Sequence, residues 1–110
     1  MPFSRVTIDI STIESWDTFH TVFKEALGFP DFYGRNMDAW VDCLTSLDAP
    51  EDGLTTVHAP AGGVMVLELS GAPALATRCP EIYSALIECS AFVNYRRIHI
   101  GSGPVLCLSF

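Results

Sequence analysis

Basic residues are scarce in this chain, which has 6 Lys and Arg against 13 Asp and Glu and a net charge of −7 over 110 residues. Nucleic acid carries dense negative charge, and the proteins that bind it usually present a basic patch. The one adjacent basic pair is Arg96-Arg97, and a solvated helix end favoured by the helix dipole explains it more simply. We therefore expect no nucleic-acid binding, and an acidic surface that suits a basic partner.

Sequence signatures of metal and cofactor sites are also lacking. The 4 cysteines form no C-x-x-C pair and the 3 histidines are scattered, so no metal-ligand spacing is found. The turn Gly101-Ser102-Gly103 has neither the lysine of a P-loop nor the glycine spacing of a dinucleotide site. We expect no metal, no cofactor and no catalytic residue.

Long apolar runs are absent as well. None reaches the roughly 18 residues needed to span a membrane, and Val6–Ile10 follows the N-terminus without the apolar core of a signal peptide. These patterns predict a cytoplasmic protein whose thiols stay reduced and mostly buried. The thiols are those of Cys43, Cys79, Cys89 and Cys107.

The chain does have enough apolar residues for one core. At 49% hydrophobic and 17% charged residues, it is typical of a single domain, here residues 1–110, which we expect to be monomeric. Strand-like and helix-like patterns alternate along it. The predicted strands are Val6–Ile10, Val64–Leu69 and Val105–Phe110. Such alternation indicates an α/β fold, with a three-stranded parallel sheet packed against helices.

Helix boundaries are marked by capping residues. Ser15 is a suitable N-cap for a first helix that Gly28 and Pro30 end. Pro80 suits the first position of a third major helix, and Ala74–Cys79 before it predicts a short turn or helix. His20 on the first helix is expected to be packed and hydrogen-bonded rather than catalytic.

The segment Asp48–Gly63 is rich in proline and glycine. It is too long for an ordinary connection between two elements. Its composition favours a mobile loop, and a functional role is the alternative.

The second helix, predicted from Asn36 to about Leu47, carries two stripes of side chains at the i, i+3, i+4 and i+7 spacing. Its expected core face is Trp40, Cys43, Leu44 and Leu47. The neighbouring stripe is Asp38, Val41, Asp42 and Thr45. Val41 is interpreted as a single exposed valine between two carboxylates.

The two aspartates of this stripe have different explanations for their positions in the helix. Asp38 lies in the first turn, where an acid complements the helix dipole. Asp42 lies mid-helix, where aspartate is a poor helix former and repels Asp38 at i and i+4. Asp42 is therefore the stronger candidate for function, although a solvated face is the common explanation of an exposed acid.

An enzyme could use Asp38 and Asp42 as a paired acid and base. That reading lacks a nucleophile, a metal set and a cofactor loop. Tyr33 could donate a proton, but an aromatic turn residue packed on the core is the simpler role. We expect the chain not to be an enzyme.

The stretch Phe29–Thr45, FPDFYGRNMDAWVDCLT, resembles the barstar family, whose pattern is roughly L-P-x-Y-Y-G-x-N-L-D-A-L-W-D-x-L-T. The order of flanking strands and helices agrees, and Asp48–Gly63 resembles an insertion. The resemblance implies a barstar-like fold and an intracellular inhibitor of a basic, extracellular-type bacterial ribonuclease. In that family, acidic residues of the second helix take the place of substrate phosphates in the enzyme.

By motif position, the resemblance assigns a contact to each of several residues. Asp42 matches the central aspartate that meets the enzyme's arginines and histidine, and Asp38 matches a second acidic contact. A gapless alignment of the third helix puts Glu88 at the remaining acidic contact, and Phe32 stands where a tyrosine stacks on the enzyme. The other implied contacts are Asn36, Val41 and Thr45.

Departures from the family pattern bear on the identity of the partner. Val41 replaces a tryptophan, Phe32 lacks the tyrosine hydroxyl, and Arg35 replaces an acid beside the acidic stripe. The target is therefore either a ribonuclease or another basic toxin. In the second case the chain would be a barstar-like immunity or interaction protein.

Overall fold

The computed structural model describes Met1–Phe110 and contains the predicted parallel sheet. Its strands are β1 (Phe3–Asp9), β2 (Val64–Ser70) and β3 (Leu106–Ser109), in the order β1-β2-β3. The helices are α1 (Trp16–Leu27), α2 (Met37–Thr45), α3 (Ala72–Arg78) and α4 (Pro80–His99). The predicted α/β class, with a three-stranded parallel sheet packed against helices, is therefore confirmed.

The sheet buries one face and leaves the other partly open. Along β2, buried residues alternate with half-buried ones, as in a sheet with a single covered face. Ile8 and Leu67 point into the core, whereas Arg5 and Glu68 form an ion pair of 3.0 Å on the opposite face. Only one face of β2 is therefore fully buried.

Helix α1 begins and ends at the predicted residues. The Ser15 hydroxyl accepts from the Thr18 amide, and Thr18 Oγ1 accepts from the Ser15 amide, which completes a capping box. Gly28 closes the helix at a φ of +67°, a conformation that favours glycine. A Cβ at Gly28 would also overlap the side chain of Thr56.

The core lies between the covered face of the sheet and the helices. It centres on three aromatic rings, with the centroids of Phe19 and Phe23 4.7 Å apart and those of Phe23 and Trp40 5.6 Å apart. The predicted core face of α2 is confirmed, since its four members are all buried: Trp40, Cys43, Leu44 and Leu47.

The segment Asp48–Gly63 is attached to this core at several points. The Thr56 amide donates to the Leu27 carbonyl at 3.0 Å and the Ala59 amide to the Leu47 carbonyl at 2.9 Å. Thr55 and Ala59 are buried. The mobile-loop interpretation is therefore wrong, because its backbone donors and small side chains are used in packing.

Arg97 was interpreted as part of a solvated helix end, and the structure contradicts this. Its side chain is only 12% exposed and forms a bidentate pair with Asp48, with Nη2 2.7 Å from Oδ2. It also donates to the carbonyls of Thr45 and Gly103. Arg97 therefore joins α4 to the chain that follows α2.

The cysteines are free, but the expectation that most of them are buried was wrong. Cys43 is buried, Cys79 and Cys89 are half-buried, and Cys107 is exposed on β3. Burial raises the pKa of the Cys43 thiol to about 11, helped by the Asp42 carboxylate. No helix is both long enough and apolar enough to cross a membrane.

Candidate functional site

Helix α2 is held at its start by Asn36 and the loop before it. Asn36 Oδ1 accepts from the Ala39 amide at 2.8 Å, as an N-cap does. Arg35 has a φ of +52°, and its guanidinium donates to the Asp17 carboxylate and the Thr21 hydroxyl on α1. Arg35 is thus paired with α1, which offsets the backbone strain at the entrance to α2.

Three carboxylates converge on a groove of about 500 Å³ between α2 and α4. Asp38 and Asp42 come from α2 and Glu88 comes from α4, so the structure brings the three predicted acidic residues together. All three are exposed. The lining residues are Met37, Asp38, Val41, Asp42, Glu88, Cys89, Phe92 and Arg96.

Asp42 is already ion-paired within the chain. Arg96 Nη1 lies 2.8 Å from Asp42 Oδ1, with side chains that are 41% and 62% exposed. No ion pair is formed by Asp38 or Glu88. Arg96 does lie in the last turn of α4 with its side chain largely solvated, as expected. In addition, its guanidinium reaches across the groove to the carboxylate that the sequence singled out.

With three carboxylates and one arginine, the groove has a net negative charge. This charge affects the pKa of the Cys89 thiol. Burial raises the pKa of the Cys89 thiol, and the carboxylates of Glu88 and Asp38 raise it further. Both acids therefore act on the same half-buried group from opposite helices. A cation entering the groove would be attracted by the same two carboxylates.

Val41 forms part of the groove floor and is 4% exposed. The expectation of an exposed valine between two carboxylates was therefore wrong. Helix α4 packs over α2, which covers the flank of α2 next to its core face. Val41 offers a partner little apolar area.

Phe32 and Thr45 lie outside the groove. Phe32 is 77% exposed and lines a second depression of about 300 Å³ that it shares with Asp42 and Ala39. Asp42 thus lies on the ridge between the two concave surfaces. Thr45 is half-buried, and its hydroxyl donates to the Val41 carbonyl at 2.7 Å.

His20 and Tyr33 are buried together, as predicted, with Nδ1 and Oη 2.6 Å apart. Burial is the main cause that lowers the pKa of His20 and raises that of Tyr33. At neutral pH both groups are therefore uncharged. Their arrangement supports the loop before α2.

Sequence reasoning missed the residues that α4 adds to the groove, above all Arg96 and Phe92. With Glu88 they recur at i, i+4 and i+8, which places them on one face of α4. That spacing was available in the sequence. Which helix the face packs against was not, because α2 and α4 meet only in the tertiary structure.

Comparison with known proteins gives two findings. Residues 3–97 match the family model described as "Barstar (barnase inhibitor)". The chain is also similar to a Bacillus subtilis (strain 168) protein named "Putative ribonuclease inhibitor YrdF", with 45% identity over 47 residues. That match covers 42% of this chain and 52% of the relative, so it spans about half of that protein's length.

Proposed function

The chain belongs to the barstar family, and we propose that it inhibits a basic bacterial ribonuclease by placing the carboxylates of its α2–α4 groove in the enzyme's active site. Proteins of this family are inhibitors and not enzymes. The observation that carries the proposal is the convergence of Asp38, Asp42 and Glu88 on one groove. Two packed helices supply them, so their backbone positions are set relative to one another before any partner arrives.

The mechanism follows from the chemistry of a ribonuclease active site. Such a site uses cationic side chains to bind phosphate, and carboxylates can accept the same charge-assisted hydrogen bonds. In this proposal Asp42 takes the central position, because it stands on the ridge and is 62% exposed. Asp38 and Glu88 contact cations on either side. The net charge of −7 speeds encounter with a basic enzyme.

The other proposed contacts play smaller parts. The exposed ring of Phe32 can stack on the enzyme beside Asp42. Asn36 and Thr45 use their side chains to cap and brace α2, so we propose that they touch the partner mainly while keeping the helix rigid. Val41 contributes a narrow apolar floor.

We further propose that the chain acts as a monomer in the cytoplasm, where it would protect the producing cell. A second candidate is an immunity protein whose basic target is not a ribonuclease. The burial of Val41 and the presence of Arg96 in the groove favour this candidate, because both alter the surface that meets the partner. Tight, salt-sensitive binding to another basic toxin, together with no binding to ribonucleases, would support this second candidate.

The test compares Asp42→Ala with Asp52→Ala, using barnase as the enzyme in calorimetric titration and in a ribonuclease assay. Hydrogen bonds to charged groups contribute about 1.5–3 kcal/mol each, so losing a carboxylate that accepts two should weaken binding at least about a hundredfold. Asp52 is exposed on the 3₁₀ turn Pro50–Asp52 and lines no part of the groove.

Equal effects of the two variants would refute the assigned site. Asp48 would be a poor control, since its carboxylate holds Arg97 and its loss would disturb the fold. If the unmodified chain neither binds barnase nor slows RNA cleavage by it, inhibition of this ribonuclease is excluded.

A further inference from the structure

We propose that Arg96 is an internal competitor for Asp42, a built-in guanidinium that occupies the docking carboxylate in the free protein and leaves it when the partner binds. The inference rests on the proposed function of the groove and adds a residue that tunes partner affinity. Its basis is the 2.8 Å ion pair from Arg96 Nη1 to Asp42 Oδ1 across the groove.

The way Arg96 is held differs from the way its neighbour Arg97 is held. Arg97 makes four hydrogen bonds, to both oxygens of Asp48 and to two carbonyls, and its side chain is 12% exposed. Arg96 makes one hydrogen bond and is 41% exposed. The Arg97 guanidinium is thus fixed, whereas the Arg96 guanidinium can swing into solvent at little cost.

A single bond also argues against a role for Arg96 in positioning Asp42. A bidentate contact adds geometric specificity to an arginine–carboxylate pair, whereas Arg96 reaches only Oδ1. Helix α2 already fixes the backbone of Asp42, with Val41 and Cys43 buried on either side of it. Removing Arg96 should therefore leave Asp42 in place and free.

Arg96 and a cationic side chain of the partner would compete for Asp42 because both are positively charged. A partner arginine that reaches Asp42 must share the carboxylate with Arg96 or displace it, and two guanidinium groups on one carboxylate repel each other. Partners that bring several cations can use Asp38 and Glu88 as well and overcome the repulsion. Arg96 thus penalises weakly basic partners most, which makes it a determinant of selectivity.

The experiment measures binding of barnase to the unmodified chain and to Arg96→Gln by surface plasmon resonance at two salt concentrations. An exposed ion pair typically shifts an equilibrium by up to about fivefold. We expect Arg96→Gln to bind about twofold to fivefold more tightly, with a larger gain at low salt.

Two control variants separate local competition from general charge. Arg5→Gln removes the same charge and the same kind of exposed ion pair, but on the open face of the sheet, where Arg5 pairs with Glu68. It should gain much less. In the Asp42→Asn background, Arg96→Gln should give no gain, because no carboxylate is left to release.

Each outcome is decisive. If barnase binds the unmodified chain and Arg96→Gln binds equally or more weakly, the competitor role is refuted while the inhibitor function stands. If barnase binds no variant, inhibition of barnase fails, and a hexa-arginine peptide at low salt becomes the probe. A preference of that peptide for Arg96→Gln over Arg5→Gln then supports the role, and equal binding or no binding overturns it.

Discussion

Replacing each of the adjacent arginines of α4 by methionine, which keeps an unbranched apolar side chain and removes the guanidinium, should affect different properties. Arg97→Met deletes four hydrogen bonds, two of them to the Asp48 carboxylate. Arg96→Met deletes one. The first change should reduce stability, and the second should alter binding with little effect on stability.

The size of the Arg97 effect follows from its burial. The side chains of Arg97 and Asp48 are 12% and 28% exposed, so water can replace only part of what is lost. Breaking a partly buried charged pair and leaving its partners unsatisfied costs about 3 kcal/mol. For 110 residues, an unfolding entropy of about 2.1 cal/mol/K per residue converts that loss into a fall in Tm of about 13 °C. The Arg96–Asp42 pair is exposed, and its loss should cost under about 1 kcal/mol.

Urea unfolding followed by tryptophan fluorescence measures both variants, because Trp40 is fully buried and reports loss of the core. Calorimetry gives the Tm. The reasoning would be refuted if Arg97→Met lost no more stability than Arg96→Met, since burial and hydrogen-bond number would then not distinguish the two residues. A wild-type Tm for Arg97→Met would refute it most directly.

Two further predictions concern the support of α2 and the end of α1. Folding lowers the pKa of His20, so as the pH falls the histidine is protonated in the unfolded chain at a higher pH than in the folded protein. The free energy of unfolding should therefore fall as the pH drops below about 6.5. Urea midpoints of His20→Gln should show a weaker pH dependence than those of the unmodified chain, and identical dependence would count against the assignment. Gly28→Ala forces a side chain into φ +67° and into Thr56, and should cost about 2 kcal/mol or more by urea unfolding. Its control is Gly53→Ala, at φ +69° with nothing within 4 Å, which should cost about half as much.

The sequence was a good guide where local rules decide the structure. Ser15, Gly28 and Asn36 fix helix ends through their own hydrogen bonds or backbone angles, and these boundaries were predicted. Helix α2 ends at Thr45 instead of Leu47, a difference within the usual fraying of helix termini. The parallel sheet followed from the alternation of strands and helices.

Prediction failed where a side chain finds its partner far along the chain. Arg96 and Asp42 are separated by 54 positions and Arg97 and Asp48 by 49, so no local pattern marks either pair. The burial of Val41 depends likewise on α4 crossing α2. Asp38 and Asp42 were found from their helical spacing and a family motif, and Glu88 from an alignment of the third helix. Arg96 was not recognised from the sequence as part of the site.

The acidic surface exists only in the folded protein, because Asp42 and Glu88 come from helices that meet across the core. Helix α2 has 9 residues, fewer than the roughly 12–15 that an isolated helix needs to be even marginally stable in water. A synthetic peptide copied from α2 would thus present its two aspartates on a fluctuating chain, without the third acid opposite. For the same reason, if the chain inhibits a ribonuclease as proposed, loss of inhibition on heating should coincide with global unfolding, and a ribonuclease assay would then also measure how much of the chain is native.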